Sequence, residues 1–209
     1  MRATVEKPVL ATGPVDGRSA RRDRNKTAVL DAVLELFQEG SLSPGPVEVA
    51  QRCGLSPRSV YRYFDDADEL VRAAVDRHLE LTLPYFHLSA IGQGPRDERI
   101  DRFAERRVTL FFKVGDVNRA ARLRAATSEV MANTLAMTRR ELKAQVERHF
   151  APEWATLKPA LRRRRLALVD TLTQFETLDT YRQLHGMDQE STTTMVAEAL
   201  EDLLPGSAR

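Results

Sequence analysis

Val47-Glu-Val-Ala-Gln-Arg-Cys-Gly-Leu-Ser-Pro-Arg-Ser-Val-Tyr-Arg-Tyr-Phe64 is the stretch on which the reading of the chain turns. It holds two short helical patterns around one tight turn. Val49 and Ala50 are apolar and small, so a helix over 47–53 can lie close against its neighbours. Gly54 can take the positive φ that a tight turn requires. Ser56 supplies an N-cap oxygen, and Pro57 fills the first helical position, where its missing N–H is no loss. The second helix is expected to run to about Phe64. Leu55 and Val60 plug the interface between the two helices, which leaves Arg58, Ser59, Tyr61, Arg62 and Tyr63 on outer faces. That outer set contains no acid. Arginine can read guanine in the major groove, and tyrosine can touch thymine methyls or phosphates. The arrangement is that of a helix-turn-helix unit.

Working outward, 22–39 carries a helical stripe of Val29, Val33, Leu36 and Phe37, widened by Leu30 and Leu34 and stopped at Gly40. A loop with Pro44, Gly45 and Pro46 joins it to the pair. Before the stripe lies a basic arm of Arg18, Arg21, Arg22, Arg24 and Lys26, with Asp23 as its one acid. Such an arm can reach a minor groove or the phosphate backbone; the alternative is a solvated tail. Asp66 with Glu69 makes a capping-box-like start for a further helix, expected to end before Pro84. Residues 84–97 read as a connector. Helices are expected near 98–114, 117–126, 128–150, 159–185 and 189–204. No sustained apolar/polar alternation suggests strands. The first 20 residues are expected to be a disordered tail.

The helix Ala28-Val-Leu-Asp-Ala-Val-Leu-Glu-Leu-Phe37, then Val49-Ala50, Gly54-Leu55-Ser56, Val60-Tyr61-Arg62-Tyr63-Phe64 and Glu69-Leu70 together resemble the DNA-binding domain of the TetR family of bacterial transcriptional repressors. The resemblance covers residues 22–75. It implies an all-α chain of about nine helices, with a three-helix DNA-binding domain at 21–75 and a helical ligand-binding and dimerisation domain at 76–209. It also implies that Pro57, Arg58, Ser59 and Tyr61 sit where bases are contacted, and that Tyr61 and Tyr63 sit where phosphates are gripped. Arg62 shares that helix, and Arg22 and Lys26 lie in the arm beside it. Two positions depart from the family's pattern. Pro46 and Ala67 replace a Thr and a Lys that many members use on phosphates. The segment around Ala67, with Asp65, Asp66, Asp68 and Glu69, is acidic, which suits a helix N-terminus but repels a nearby DNA backbone.

Composition sets the frame for this reading. The chain has 209 residues, 42% hydrophobic and 30% charged, which excludes disorder over its whole length. No run of 18 apolar residues exists, so no membrane span is expected. The N-terminus has no apolar core of signal-peptide length, and a cytoplasmic location is expected. A lone Cys53 cannot form an internal disulfide and reads as a small core residue. Net charge is +2, too small to implicate nucleic acid by itself. Of 32 basic residues five are lysine, leaving 27 arginines, a bias that genomic base composition also produces. No P-loop, G-x-S-x-G, glycine-rich dinucleotide turn or HExxH occurs, so no enzyme, cofactor or metal is expected. His78, His87, His149 and His185 are scattered and read as structural or surface residues. Arg162 to Arg165 covers a full helical turn, which suits a solvated flank better than one binding face.

The last two expected helices carry apolar stripes. Leu161, Leu168, Leu172, Phe175 and Leu178 form one, and Met195, Val196, Ala199, Leu200, Leu203 and Leu204 the other. Two such helices can form half of a four-helix bundle with a second copy. The resemblance implies the same homodimer, binding a palindromic double-stranded DNA operator as a repressor. It further implies a small effector held between about 98 and 178. Phe103, Phe111, Met131, Trp154 and Phe175 are the candidate lining residues, with core packing as their alternative, and Thr134 and Gln174 could orient a ligand. Such a pocket would favour a largely apolar effector. Three other readings stay open: a helical scaffold of the same fold without operator binding, an enzyme with a helical pocket, and a regulator without an effector.

Overall fold

A computed structural model describes residues 17–206, and everything structural below refers to those residues. They form ten helices: α1 (Gly17–Gln38), α2 (Pro46–Cys53), α3 (Pro57–Tyr61), α4 (Ala67–Phe86), α5 (Arg96–Ala125), α6 (Glu129–His149), α7 (Ala151–Ala155), α8 (Pro159–Leu172), α9 (Phe175–Leu184) and α10 (Gln189–Leu203). No helix among them is long and apolar enough to cross a membrane.

The all-helical expectation holds, and the departures lie at helix boundaries. α1 starts at Gly17, so residues 17–20, expected in the tail, are helical. No proline or glycine interrupts 18–38, and nothing local stops the helix earlier. The rest of the expected tail, 1–16, lies outside the described residues. α3 is one turn shorter than expected; Arg62 to Phe64 continue as a turn, with the Tyr63 and Phe64 amides bonded to the Val60 carbonyl. α4 runs through Pro84. That proline sits in the last turn, where only one ladder bond is lost. α5 is continuous across Gly115, where the sequence predicts two helices. A single glycine costs about 1 kcal/mol in a helix interior, and packing of α4, α6 and α10 along α5 outweighs it. The expected helix 159–185 breaks at Thr173 and Gln174. Gln174 is extended, and the Thr173 hydroxyl donates back to the Val169 carbonyl at 3.0 Å. The short α7 has no counterpart in the sequence reading; Trp154, fully buried, anchors it.

Two hydrophobic cores result. The first holds Val29, Val33, Phe37, Val49, Val60, Phe64 and Leu70, and continues into α5 and α6 through Val117, Ala121 and Met131. The second holds Phe103, Phe111, Phe150, Trp154, Leu178 and Leu200. The N-terminal unit therefore shares its core with the far end of α5, and the two parts of the chain are packed together rather than merely tethered.

Candidate nucleic-acid interface and cavity

The α2–α3 unit is built as its sequence dictates. Gly54 has φ +68° and caps α2, its N–H bonding the Ala50 carbonyl. Ser56 Oγ accepts from the Ser59 amide at 3.2 Å and caps α3. Val49, Ala50 and Val60 are buried. Ion pairs clamp the unit to its neighbours. Arg52 bridges α2 to Glu39, just past the end of α1, at 2.5 Å, and Arg77 of α4 pairs with Asp31 of α1 at 2.7 Å. The Glu39 contact raises the Arg52 pKa and holds the Glu39 carboxyl below its usual value.

This scaffold presents Pro57, Arg58, Tyr61 and Arg62 as exposed residues, with Ser59 half-buried. Tyr61 is 56% exposed, a large aromatic ring turned to solvent. Tyr63 differs from the expectation of an outer-face residue: it is only 9% exposed and belongs to the first core. The turn after Tyr61 swings Tyr63 inward beside Phe64. Only its hydroxyl reaches the polar rim, where it accepts from Asn25 Nδ2 at 3.4 Å and Arg62 at 3.0 Å. The Asn25 bond foremost, and then Arg62, lowers the Tyr63 pKa.

The basic arm is the opening turns of α1 rather than a loose tail. Lys26 Nζ lies 5.4 Å from the Phe64 ring centre, and the charge of Arg22 is felt at the Tyr63 hydroxyl. Arg22 and Lys26 are four residues apart and share one helix face. That face thus adjoins the turn after α3, which sets Arg22 and Lys26 beside Arg62, Tyr63 and Phe64. Three of the four acids at the α4 start are engaged, and Asp65 is exposed with no side-chain partner among the described residues. Asp66 accepts from the Glu69 amide and Glu69 from the Asp65 amide, both at 2.7 Å, closing the capping box; Asp68 pairs with Arg124 of α5.

A cavity of about 70 Å³ lies where α4, α5, α6 and α9 meet, between the two cores. Of the expected lining residues, Phe111 and Phe175 face it, with rings 5.4 Å apart, and so does Thr134. The other three do not. Phe103 and Trp154 are packed with Phe150 in the second core, and Met131 is buried in the first. Their positions on α5, α6 and α7 turn them toward helix–helix contacts. Gln174 is not in the lining either; its side chain donates to Asp170 Oδ1 at 2.7 Å. Sequence reasoning missed His78, Arg107 and Asn118, which line the cavity with Val75, Leu110 and Leu135. One signal was present: Arg107 interrupts the apolar stripe of Ile100, Phe103, Leu110 and Phe111 along one helix. Among the described residues no group of three His, Cys, Asp or Glu is placed to hold a metal ion.

Comparison with known proteins agrees with this geometry. Residues 29–74 match the family model of bacterial regulatory proteins, tetR family. A tetR-family transcriptional regulator from Streptomyces coelicolor superposes with a TM-score of 0.65 at 20% identity, covering 87% of this chain and 80% of that one. A transcriptional regulator from Rhodococcus sp. Rha1 gives 0.62 at 19% identity, covering 87% and 95%. A SmeT–triclosan complex gives 0.57 at 15% identity, covering 86% and 91%. No curated protein sequence matches significantly. The matched segment spans the helix-turn-helix unit and its supports, and the fold is shared over most of the chain. Residues 29–74 therefore carry the helix-turn-helix domain of the tetR family of bacterial regulatory proteins, and the rest of the chain shares the fold of the regulators solved with it.

Proposed function

We propose that the chain is a cytoplasmic repressor that binds a palindromic operator as a homodimer and releases it when a small, largely apolar effector enters the cavity. The observation that carries this reading is the capped helix-turn-helix unit with Arg58, Tyr61 and Arg62 exposed on and just after α3, and with Arg22 and Lys26 of α1 set beside the turn that follows it. Arg58 and Tyr61, with Pro57 and Ser59, are the proposed base contacts. Arg22, Lys26 and Arg62 are proposed to grip phosphates, and Tyr63 to buttress Arg62. Of the acids that favour a scaffold without operator binding, Asp68 is paired with Arg124, and Asp66 and Glu69 cap the start of α4, which lessens their weight against DNA.

The α8 and α10 helices are the proposed dimer elements. Leu161 and Leu168 lie seven residues apart on α8 and are exposed, while Val169 is buried against the second core. A helix with apolar residues both inward and outward suits a second copy. Residues 21–75 are the proposed reader and 76–209 the sensing part. Coupling has a short route. α4 begins beside α3 and carries Val75 and His78 into the cavity wall, and Arg124 of α5 ties to both Asp68 and Ser43. A ligand that prefers a wider cavity would move these helices and respace the two α3 helices of a dimer. The neighbour solved with triclosan supports a small-molecule effector in this fold. A gel shift against the chain's own promoter region, in excess competitor DNA, tests the reading: specific retention supports it, and binding erased by competitor opposes it.

A further inference from the structure

We propose that the cavity takes an apolar molecule carrying one anionic group, a small carboxylic acid by chemistry, with its carboxylate held by Arg107. This rests on the cavity being the effector site. Arg107 enters from the middle of α5 and is 3% exposed, yet among the described residues it forms no ion pair. All its acceptors are neutral. It donates to the Thr173 carbonyl at 3.4 Å and hydroxyl at 3.3 Å, to the Leu142 carbonyl at 3.1 Å and to Gln145 Oε1 at 3.3 Å. These bonds run at 3.1–3.4 Å, against about 2.7–2.9 Å for a guanidinium on a carboxylate, so a carboxylate would be a stronger acceptor than any that Arg107 has.

The charge is only partly compensated. Thr173 ends α8, whose carbonyl end contributes about half a negative charge. Asp170 favours the charged form from beyond ion-pair distance, but its carboxylate is engaged by Gln174. The Phe103 ring lies 4.8 Å from the guanidinium carbon. Burial lowers the Arg107 pKa to about 10, which leaves it charged at neutral pH. A buried cation without a carboxylate is expensive for a folded protein, and such groups are ordinarily paired. Here the missing partner would come from the ligand.

Two further groups in the same wall lack partners. His78 Nε2 and Asn118 Oδ1 are buried and make no hydrogen bond. The rest of the wall is largely apolar, including Val75, Leu110, Phe111 and Leu135. The body of the acid would pack there while its carboxylate meets the Arg107 fork. At about 70 Å³ the cavity offers space for roughly two waters, each needing about 30 Å³. An acid of several carbons exceeds this space, so its entry would displace lining side chains or helices, and preference for the widened state is what release of DNA requires.

Calorimetry on the full chain at neutral pH tests this with butanoate, hexanoate, octanoate and phenylacetate, each beside its primary amide. At least one acid should bind about tenfold or more tightly than its amide, the scale of a hydrogen bond to a charged group. Arg107→Gln should abolish that preference, Arg107→Lys should keep part of it, and the surface change Arg140→Gln should leave it intact. The acid–amide comparison in the unaltered protein stands even if Arg107→Gln does not fold. Equal binding of acid and amide would overturn the anionic group while leaving an apolar effector site. Preference surviving Arg107→Gln would overturn Arg107 as the anchor. Binding of none of these probes would overturn the proposal together with the effector reading.

Discussion

Arg58 is exposed on α3 and makes no ion pair among the described residues, which leaves its guanidinium available to DNA. If it reads guanine with both arms of its fork, Arg58→Ala will cost about 1–3 kcal/mol on the operator and relax preference at one base pair. Fluorescence anisotropy with operator and scrambled duplexes checks this; equal weakening on both would assign Arg58 to phosphate. Tyr63 shows where a sequence stops being legible. The cap at Ser56, the turn at Gly54 and the buried Val60 are all readable, because each depends on residues within a few positions. The inward turn of Tyr63 depends on Asn25, 38 residues away, and no local pattern carries that. Tyr63→Phe removes two hydroxyl bonds at a mostly buried ring, and a destabilisation of about 0.5–1.5 kcal/mol in urea unfolding is expected. An unchanged midpoint would mean that water replaces both partners.

At the scale of elements, α1 is the informative case. Its basic residues are fixed to a helix, so they are not equivalent. Arg22 shares a face with Lys26 toward the turn after α3, whereas Arg24 is turned some 200° from Arg22 at about 100° per residue. Arg22→Gln should weaken operator binding and flatten the plot of log affinity against log salt by about 0.9 for each phosphate that it no longer neutralises, while Arg24→Gln changes little. Equal effects of the two would mean that the segment acts as a loose charged tail when bound to DNA. The helices themselves are legible wherever caps and stripes mark them, as at Asp66 with Glu69. They are not legible where tertiary packing decides. Gly115 stops nothing because neighbouring helices cover it. Thr173 ends α8 where Arg107, 66 positions earlier, takes its carbonyl and hydroxyl. The same distance effect hides the cavity: apolar character finds Phe111 and Phe175, but it equally selects Phe103, Met131 and Trp154, which are core.

Over the whole molecule, two buried histidines set a pH response. Burial foremost holds His78 and His149 below their ordinary value of 6.5. The unfolded chain then binds more protons than the folded one as pH falls past 6.5, so stability present above that value is lost progressively below it. Thermal melts at about pH 7.5 and about pH 5.5 should show the drop, and a His78→Gln, His149→Gln double variant should show less of it. An identical drop in the double variant would place the response on other groups. The cavity sits between the two cores, and α4 and α5 run from its wall to the helix-turn-helix unit, so the cavity and that unit share one packed structure. Two copies joined through α8 and α10 would present two α3 helices to one face of a duplex. The most direct test of that account is selection of bound duplexes from random DNA, followed by footprinting with the full chain. It should return a palindrome whose half-sites lie about 10 base pairs, or a multiple of that, apart, protected by two copies of the chain. Recovery of no sequence that outcompetes bulk DNA would contradict it.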